Sequence, residues 1–314
     1  MHQAAPKRLL PVVIIVLVFV LCVTPVSAQY GQPGGDYTEQ FLNWQDQMVL
    51  AQFAMYYPAD YRYNTLLGAI STKFNEKGPE IFQNYGKEVY FTVFVSSLGF
   101  NAVSFHRIVV FDSLLLDTLR KLAEGIAFYG TIDNEYSVQL AATVLRVGMA
   151  HQFGMLAGNY QNIENPFGLP SCGALTEEQK KEANSLFEEM AAAVMAHEAS
   201  HAFLDHVKEK IKTQQMLWMY NQGKVDPRVL NSYINNYLNY NLSYSKELEA
   251  DTYAARLLKA AGYSRNGFTH WLLFAGLLER MTGSDTQANR THPTSVTRIR
   301  NVKNIWDNVL ESEP

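Results

Sequence analysis

Three residues in the second half of the chain have types and spacing suited to metal-dependent hydrolysis: His197, Glu198 and His201, in the motif HExxH. A helix turns about 100° per residue, so imidazoles four residues apart lie on one helix face and can bind one Zn²⁺. Glu198 lies one residue further round the helix. Its carboxylate is therefore kept off the metal but within reach of a water molecule that needs a general base. The motif predicts a zinc site with His197 and His201 as ligands and Glu198 as the base.

Such a site needs a third ligand, which different classes of zinc enzyme supply differently. Metzincins place a Gly and a third His shortly after the motif, where this chain has Leu204 and Val207, so that class is excluded. In the other arrangement a Glu from a second helix completes the site. Glu247, at the start of a predicted helix, is the candidate, and Asp251 falls one turn later on the same face, where it could accept the second N–H of a ligating imidazole. The alternative is that both are ordinary acids near a helix N-terminus, where the helix dipole favours them.

The chain also resembles a known metallopeptidase family in several ordered blocks. The blocks are the HExxH motif, Glu247-x-x-Ala250-Asp251, Thr291-His292-Pro293 with Arg298, and a weaker stretch from Asn101 to Leu116. Their order is similar to that in the HExxH zinc metallopeptidases that include the CAAX prenyl protease, the heat-shock membrane protease HtpX and the periplasmic beta-barrel assembly-enhancing protease. The resemblance covers roughly residues 88–117 and 185–302. It implies an α+β, mostly α, zincin-like metallopeptidase fold with a small β-sheet beside the active-site helix, and one Zn²⁺ per chain.

The resemblance implies individual roles as well. It gives His197, His201 and Glu247 as zinc ligands, Glu198 as the base, Asp251 as the partner of a ligand imidazole, and His292 near the metal. Pro293 keeps His292 out of a helix interior, so we expect His292 on a loop, from which it can reach the metal as a fourth ligand and close the site at rest. The alternative is that His292 or Arg298 donates a hydrogen bond to the oxyanion of the reaction.

Elements around the motifs can also be predicted. Residues 88–97 and 102–111 are rich in Val, Phe and Tyr and are predicted to be two strands. Within them, an edge strand on which an extended substrate pairs is predicted for Asn101, Ala102, Val103 and Ser104. Thr176, with Gln179 three residues later, has the spacing of a capping box and is predicted to begin the helix that leads to His197.

The N-terminus is predicted to be an export signal. Lys7 and Arg8 precede the apolar stretch 9–23, and Val26-Ser27-Ala28 has the small residues of a cleavage site. We therefore expect residues 1–28 to be a signal peptide and 29–314 a single metallopeptidase domain. The segment at about 118–184, longer than its counterpart in the family, is predicted to be a helical insertion. The apolar stretch is short for a membrane span of about 20 residues, and an uncleaved N-terminal anchor is the alternative.

Composition narrows the possible partners. The formal net charge of −4 and the pI near 6.1 give no basic surface for nucleic acid. After signal removal Cys172 is the remaining cysteine, which excludes a disulfide within the chain and a multi-thiolate zinc site. No later stretch is long and apolar enough to span a bilayer, so no transmembrane segment is expected after signal cleavage. The predicted signal peptide makes the periplasm or cell envelope the expected location. The oligomeric state cannot be read from the sequence.

Two functions from different classes fit these features. The first is a zinc endopeptidase that acts on exported, unfolded or misfolded proteins. The second is a zinc-containing binding protein or holdase that keeps the fold without cutting its partners. Glu198 favours the first, because a scaffold has no need of a base beside the zinc. The remaining histidines lack a partner motif and are predicted to be packed or solvated side chains: His106, His151, His206 and His270.

Overall fold

The computed structural model describes residues 46–51, 53–55, 57–82, 89–95, 99–152, 164–207, 209, 243–283 and 293–310. The predicted signal peptide and His292 lie outside these residues. After helical residues at 46–51 and 53–55, the elements are, in chain order, α1 (Asn64–Ile81), β1 (Tyr90–Phe94), β2 (Ala102–Ser104), β3 (Ile108–Asp112), α2 (Ser113–Tyr129), α3 (Glu135–Gln152), α4 (Glu177–Phe203), α5 (Ser243–Ala260), α6 (Arg265–Thr282), α7 (Ser295–Ile305) and a π-helical turn (Trp306–Leu310). The predicted class, α+β and mostly α, is confirmed.

The sheet has three strands in the order β1-β3-β2, with β1 parallel and β2 antiparallel to β3. The prediction of one continuous strand over 102–111 is wrong, because the chain turns between β2 and β3. The Phe105 N–H donates to the Ile108 carbonyl at 2.7 Å, and the Asp46 carboxylate accepts from the backbone N–H of His106 and Arg107 at 3.1 and 2.8 Å. Asp46, which is far away in sequence, thus stabilises a turn that could not be predicted from the high strand propensity of residues 102–111.

Helix α4 is the long helix that carries the HExxH motif, and its start confirms the predicted capping box. The Gln179 N–H donates to the Thr176 hydroxyl at 3.2 Å, and the Thr176 N–H donates to the Gln179 side chain at 3.0 Å. These bonds satisfy donors that the first turn of a helix would otherwise leave unpaired.

The last four turns of α4 are rich in alanine and almost wholly buried, with α2, α5 and α6 packed around them. Small side chains allow such close approach. The tightest point is at Gly267 of α6, where a Cβ atom would lie 2.3 Å from the backbone carbon of Glu189. Glycine is therefore required there, and it brings the following turn of α6, with Trp271, close to the motif.

Helix α4 ends in a way that is important for the site. Leu204 follows its last residue, and Asp205 then adopts a left-handed backbone conformation with φ of 57°. Such a conformation is uncommon outside glycine, although aspartate tolerates it better than most residues. The helical path is broken at Asp205, and His206 is directed back towards the end of α4.

Most of α2 and the whole of α3 lie in the region predicted as an insertion. Asp112 caps α2 by accepting the Leu114 N–H at 2.8 Å, and the side chains of Leu114, Leu115, Leu116, Leu119 and Leu122 are buried. Across the parts of the chain that the structure describes, no helix has the length and apolar character needed to cross a membrane.

Candidate active site

The two imidazoles of the motif lie side by side on α4, with ring centroids 4.8 Å apart. Helix α5 packs against this face and brings Glu247 between them. His197 Nε2 lies 3.3 Å from one oxygen of Glu247, and His201 Nε2 lies 3.4 Å from the other. Three possible ligand atoms, one from each residue, lie within 4.8 Å of one another. The structure therefore brings together the three residues that were predicted as ligands, in a cluster that could hold a metal ion.

The geometry and chemistry of this cluster fit a zinc ion. In a tetrahedral site with metal–ligand bonds of about 2.0–2.2 Å, neighbouring ligand atoms lie about 3.3–3.6 Å apart. The two contacts between imidazole nitrogen and carboxylate oxygen, 3.3 and 3.4 Å, fall in that range. Two imidazoles and one carboxylate are also a donor set typical of catalytic zinc sites, which keep one position open. This cluster can hold a metal ion, and its donors match zinc.

His197 is held from behind by a buried pair of opposite charges. Its Nδ1 donates to Asp251 Oδ1 at 2.9 Å. Arg298 of α7 donates to both oxygens of Asp251, from Nη2 at 2.7 Å and from Nε at 2.9 Å. The Arg298 guanidinium also lies 5.0 Å from the centroid of the Trp271 ring, within the range of a cation–π contact. These contacts fix the rotation of the His197 ring.

These contacts shift the pKa values of His197 and Asp251. Burial and the charge of Arg298 act to lower the pKa of His197, but its hydrogen bonds to Asp251 and Glu247 outweigh them and raise that pKa to about 9. Burial would raise the pKa of Asp251, but the charge of Arg298 and the hydrogen bonds of His197 and Arg298 lower it. Asp251 is therefore ionised, and metal binding must displace a proton from His197.

Glu198 points towards the sheet, as the motif requires of a base that does not bind the metal. It is half-buried, and its Oε2 accepts a hydrogen bond of 2.7 Å from the hydroxyl of Ser104 on β2. β2 is an outer strand of the three-stranded sheet and packs against α4. The predicted substrate strand thus lies beside the predicted base, and Ser104 connects them. Pairing of a substrate with this strand remains a prediction.

The structure places the other predicted residues as follows. Asn101 is exposed just before β2, Ala102 is buried as the first residue of β2, and Val103 is partly buried. Arg298 faces Asp251 and the Nδ1 side of His197, a position suited to orienting that ligand. Its predicted role as an oxyanion donor stays a prediction. The role of His292 also stays a prediction, outside the described residues.

Two site residues were missed by the sequence analysis, Trp271 and His206. Trp271 lies 5.7 Å from His197 between ring centroids. His206 Nδ1 lies 2.9 Å from His201 Nδ1, on the side of that ring away from Glu247. Burial and the neighbouring His201 lower the pKa of His206 to about 2, so its ring is neutral near pH 7. Neither residue belongs to a motif, and the left-handed conformation at Asp205 that places His206 carries no distinctive sequence signal.

The fold and the site together have the features of an HExxH metallopeptidase: two histidines and the predicted base on one helix, the predicted third ligand on the next, and a sheet strand beside them. Residues 184–306 match the model of peptidase family M48. The matched segment includes α5, α6, α7 and the part of α4 that carries the motif. No curated protein and no solved structure matches the chain significantly. The family is one of metallopeptidases, so proteins or peptides are the expected substrates.

Proposed function

We propose that this protein is a zinc-dependent endopeptidase that hydrolyses peptide bonds of exported, unfolded or misfolded proteins. The observation that carries the proposal is the position of Glu198. Its carboxylate is half-buried, hydrogen-bonded to Ser104 and one residue from a cluster of three zinc-type ligands. A protein that only binds its partners has no use for an ionisable base in that position.

His197, His201 and Glu247 would hold the zinc, which when bound supplies a Lewis acid that acidifies water and polarises the peptide carbonyl. Glu198 accepts the proton of the attacking water and later donates it to the leaving amine. Asp251 and Arg298 keep His197 in one orientation and one tautomer. Ser104 holds one carboxylate oxygen of Glu198, and the carboxylate retains further acceptor sites for the water.

The preference for unfolded substrates is supported by β2. An outer strand offers backbone N–H and C=O groups to which an extended peptide can pair, and compact proteins cannot present such a strand easily. A substrate peptide paired along β2 would have its scissile bond close to Glu198. A cleavage assay on one protein, compared in its native and its chemically unfolded form, tests this preference.

Export is proposed from the N-terminal sequence alone. The apolar stretch 9–23 and Val26-Ser27-Ala28 support a mature form that begins at Gln29 in the periplasm or cell envelope. N-terminal sequencing of the protein from the envelope fraction tests this; an intact Met1 on a membrane-extracted species would favour the uncleaved anchor instead.

The central experiment compares Glu198→Gln with the wild type. The variant should retain about one zinc per chain, measured by elemental analysis, because Glu198 is not a ligand. Its cleavage rate on an unfolded protein should fall by about 10²–10⁴-fold, the usual contribution of a general base. His197→Ala, His201→Ala and Glu247→Ala should lose both zinc and cleavage.

Glu178→Gln is the matched control, since Glu178 is an exposed glutamate in the first turn of the same helix. It makes the same change of charge far from the site and should leave both zinc content and cleavage unchanged. Wild-type cleavage by Glu198→Gln would overturn the proposed mechanism. Zinc binding without cleavage by either protein would favour the binding protein or holdase.

A further inference from the structure

His206 occupies an unusual position beside the metal cluster. It is buried, and its Nδ1 lies 2.9 Å from Nδ1 of His201. On its other side, Nε2 lies 3.3 Å from Oε2 of Glu249, although this contact is poorly aligned for a hydrogen bond. Glu249 in turn contacts Lys246 Nζ at 3.1 Å. His206 therefore connects a metal ligand with a charged pair at the surface of α5.

The protons of the two imidazoles can be assigned from this geometry. His201 presents Nε2 to the metal cluster, 3.4 Å from Glu247, so this nitrogen must carry a lone pair when a metal binds. Its proton is then on Nδ1, which faces His206. Two nitrogens 2.9 Å apart form a hydrogen bond when one donates and the other accepts, so Nδ1 of His206 must be the acceptor. The proton of His206 is consequently on Nε2, directed towards Glu249.

We propose that His206 is a positioning residue for the metal site, which accepts the hydrogen bond of His201 Nδ1–H and thereby holds His201 with its Nε2 directed at the metal. Metal-binding histidines commonly donate this proton to a carboxylate or a backbone carbonyl. Here a second imidazole takes that place, with Glu249 behind it. The inference rests on the proposed zinc site, and it adds a residue that the zinc-ligand motif does not contain.

The backbone at Asp205 explains how His206 can do this. On an uninterrupted helix, a residue five positions after His201 would be rotated by about 140° and could not face it. The left-handed conformation of Asp205 redirects the chain, so that the ring centroids of His201 and His206 are 4.9 Å apart. The end of α4 therefore completes the support of a ligand on its own last turn.

The test compares two substitutions that differ in hydrogen bonding. His206→Leu fills a similar space but cannot accept a hydrogen bond. His206→Asn can place its side-chain oxygen where Nδ1 now lies and its amide towards Glu249. The dissociation constant for zinc is measured by competition with a chromophoric chelator, and the cobalt-substituted proteins are compared by their visible absorption. We expect about 10–100-fold weaker zinc binding and an altered cobalt spectrum for His206→Leu. His206→Asn should recover affinity to within a few-fold of the wild type.

His270→Leu is the control, because His270 is a partly buried histidine on α6 whose pKa is lowered by burial rather than by the zinc ligands. It should leave zinc affinity unchanged. Denaturation of the zinc-free proteins separates any loss of packing from a loss of metal affinity. Wild-type zinc affinity in His206→Leu, or no recovery in His206→Asn, would overturn the role of His206. Failure of the wild type to bind zinc would instead overturn the proposed function.

Discussion

The two histidine ligands are supported in different ways. His197 is 3% exposed and is held by Asp251, which is fully buried and paired with Arg298. His201 has a side chain that is 13% exposed, and its neighbour is the neutral ring of His206, followed by Glu249, whose side chain is 41% exposed. One ligand is thus supported by buried ions, and the other by a neutral hydrogen bond that leads out to the surface.

Because the two supports differ, substitutions beside His197 and beside His201 should affect different properties: the stability of the fold in the first case and the affinity for the metal in the second. A buried ion pair tolerates the loss of neither partner, because the remaining charge stays in an apolar environment. A neutral imidazole leaves no such charge when it is replaced. We therefore expect the His197 side to be tied to the stability of the whole fold, and the His201 side to adjust the metal site with little effect on folding.

The largest effect is expected from breaking the ion pair behind His197. Asp251→Leu or Arg298→Leu should each lower the free energy of unfolding of the zinc-free protein by about 3–5 kcal/mol, because each leaves one buried charge without its partner. The double substitution should lower it by clearly less than the sum. Urea denaturation of the four proteins gives the coupling. Additive effects would show that the two side chains do not act as a pair.

A second buried ionic cluster provides the control for this experiment. Asp117 of α2 accepts hydrogen bonds from Arg62, Arg120 and the Tyr63 hydroxyl. The Tyr63 ring contacts Phe187 on α4. At a rise of about 1.5 Å per residue, Phe187 lies about 15 Å along α4 from His197, so this cluster is far from the metal site. Asp117→Asn should therefore lower stability but leave the zinc affinity of the folded protein unchanged.

A smaller effect is expected from Ser104, on the more open side of the site. Ser104→Ala removes a hydrogen bond to the carboxylate of Glu198, and kcat for cleavage should fall about tenfold, as for the loss of about 1.4 kcal/mol from a charged hydrogen bond. KM and zinc content should stay close to the wild type, and Ser104→Thr, which keeps the hydroxyl, should retain activity. A change confined to KM would instead indicate that Ser104 acts by binding substrate along β2.

The smallest effect is expected from Glu249. Its carboxylate is largely exposed and shared with Lys246, so Glu249→Ala should change stability by less than about 1 kcal/mol and weaken zinc binding only a few-fold. The same chelator competition measures it. A loss equal to that of His206→Leu would mean that the surface carboxylate, rather than the neutral ring, supports His201.

The sequence by itself determined the features that depend on helix geometry. The spacing of His197 and His201 places them on one face, the interval from Glu247 to Asp251 does the same on α5, and Thr176 with Gln179 begins α4. All of these follow from a repeat of 3.6 residues and from the needs of the first helical turn. The mostly helical class, by contrast, was expected from the resemblance to the metallopeptidase family.

Only the tertiary structure decided which side chains complete the site. The contact of Arg298 with Asp251, the bond from Ser104 to Glu198 and the turn held by Asp46 each join residues that are distant in sequence. His206 is close in sequence, but it reaches His201 only through the left-handed backbone of Asp205. The physical reason is that local periodicity specifies the face a side chain occupies. The packing of α4 against α5, α7 and β2, and the break in the chain after α4, specify what that face meets.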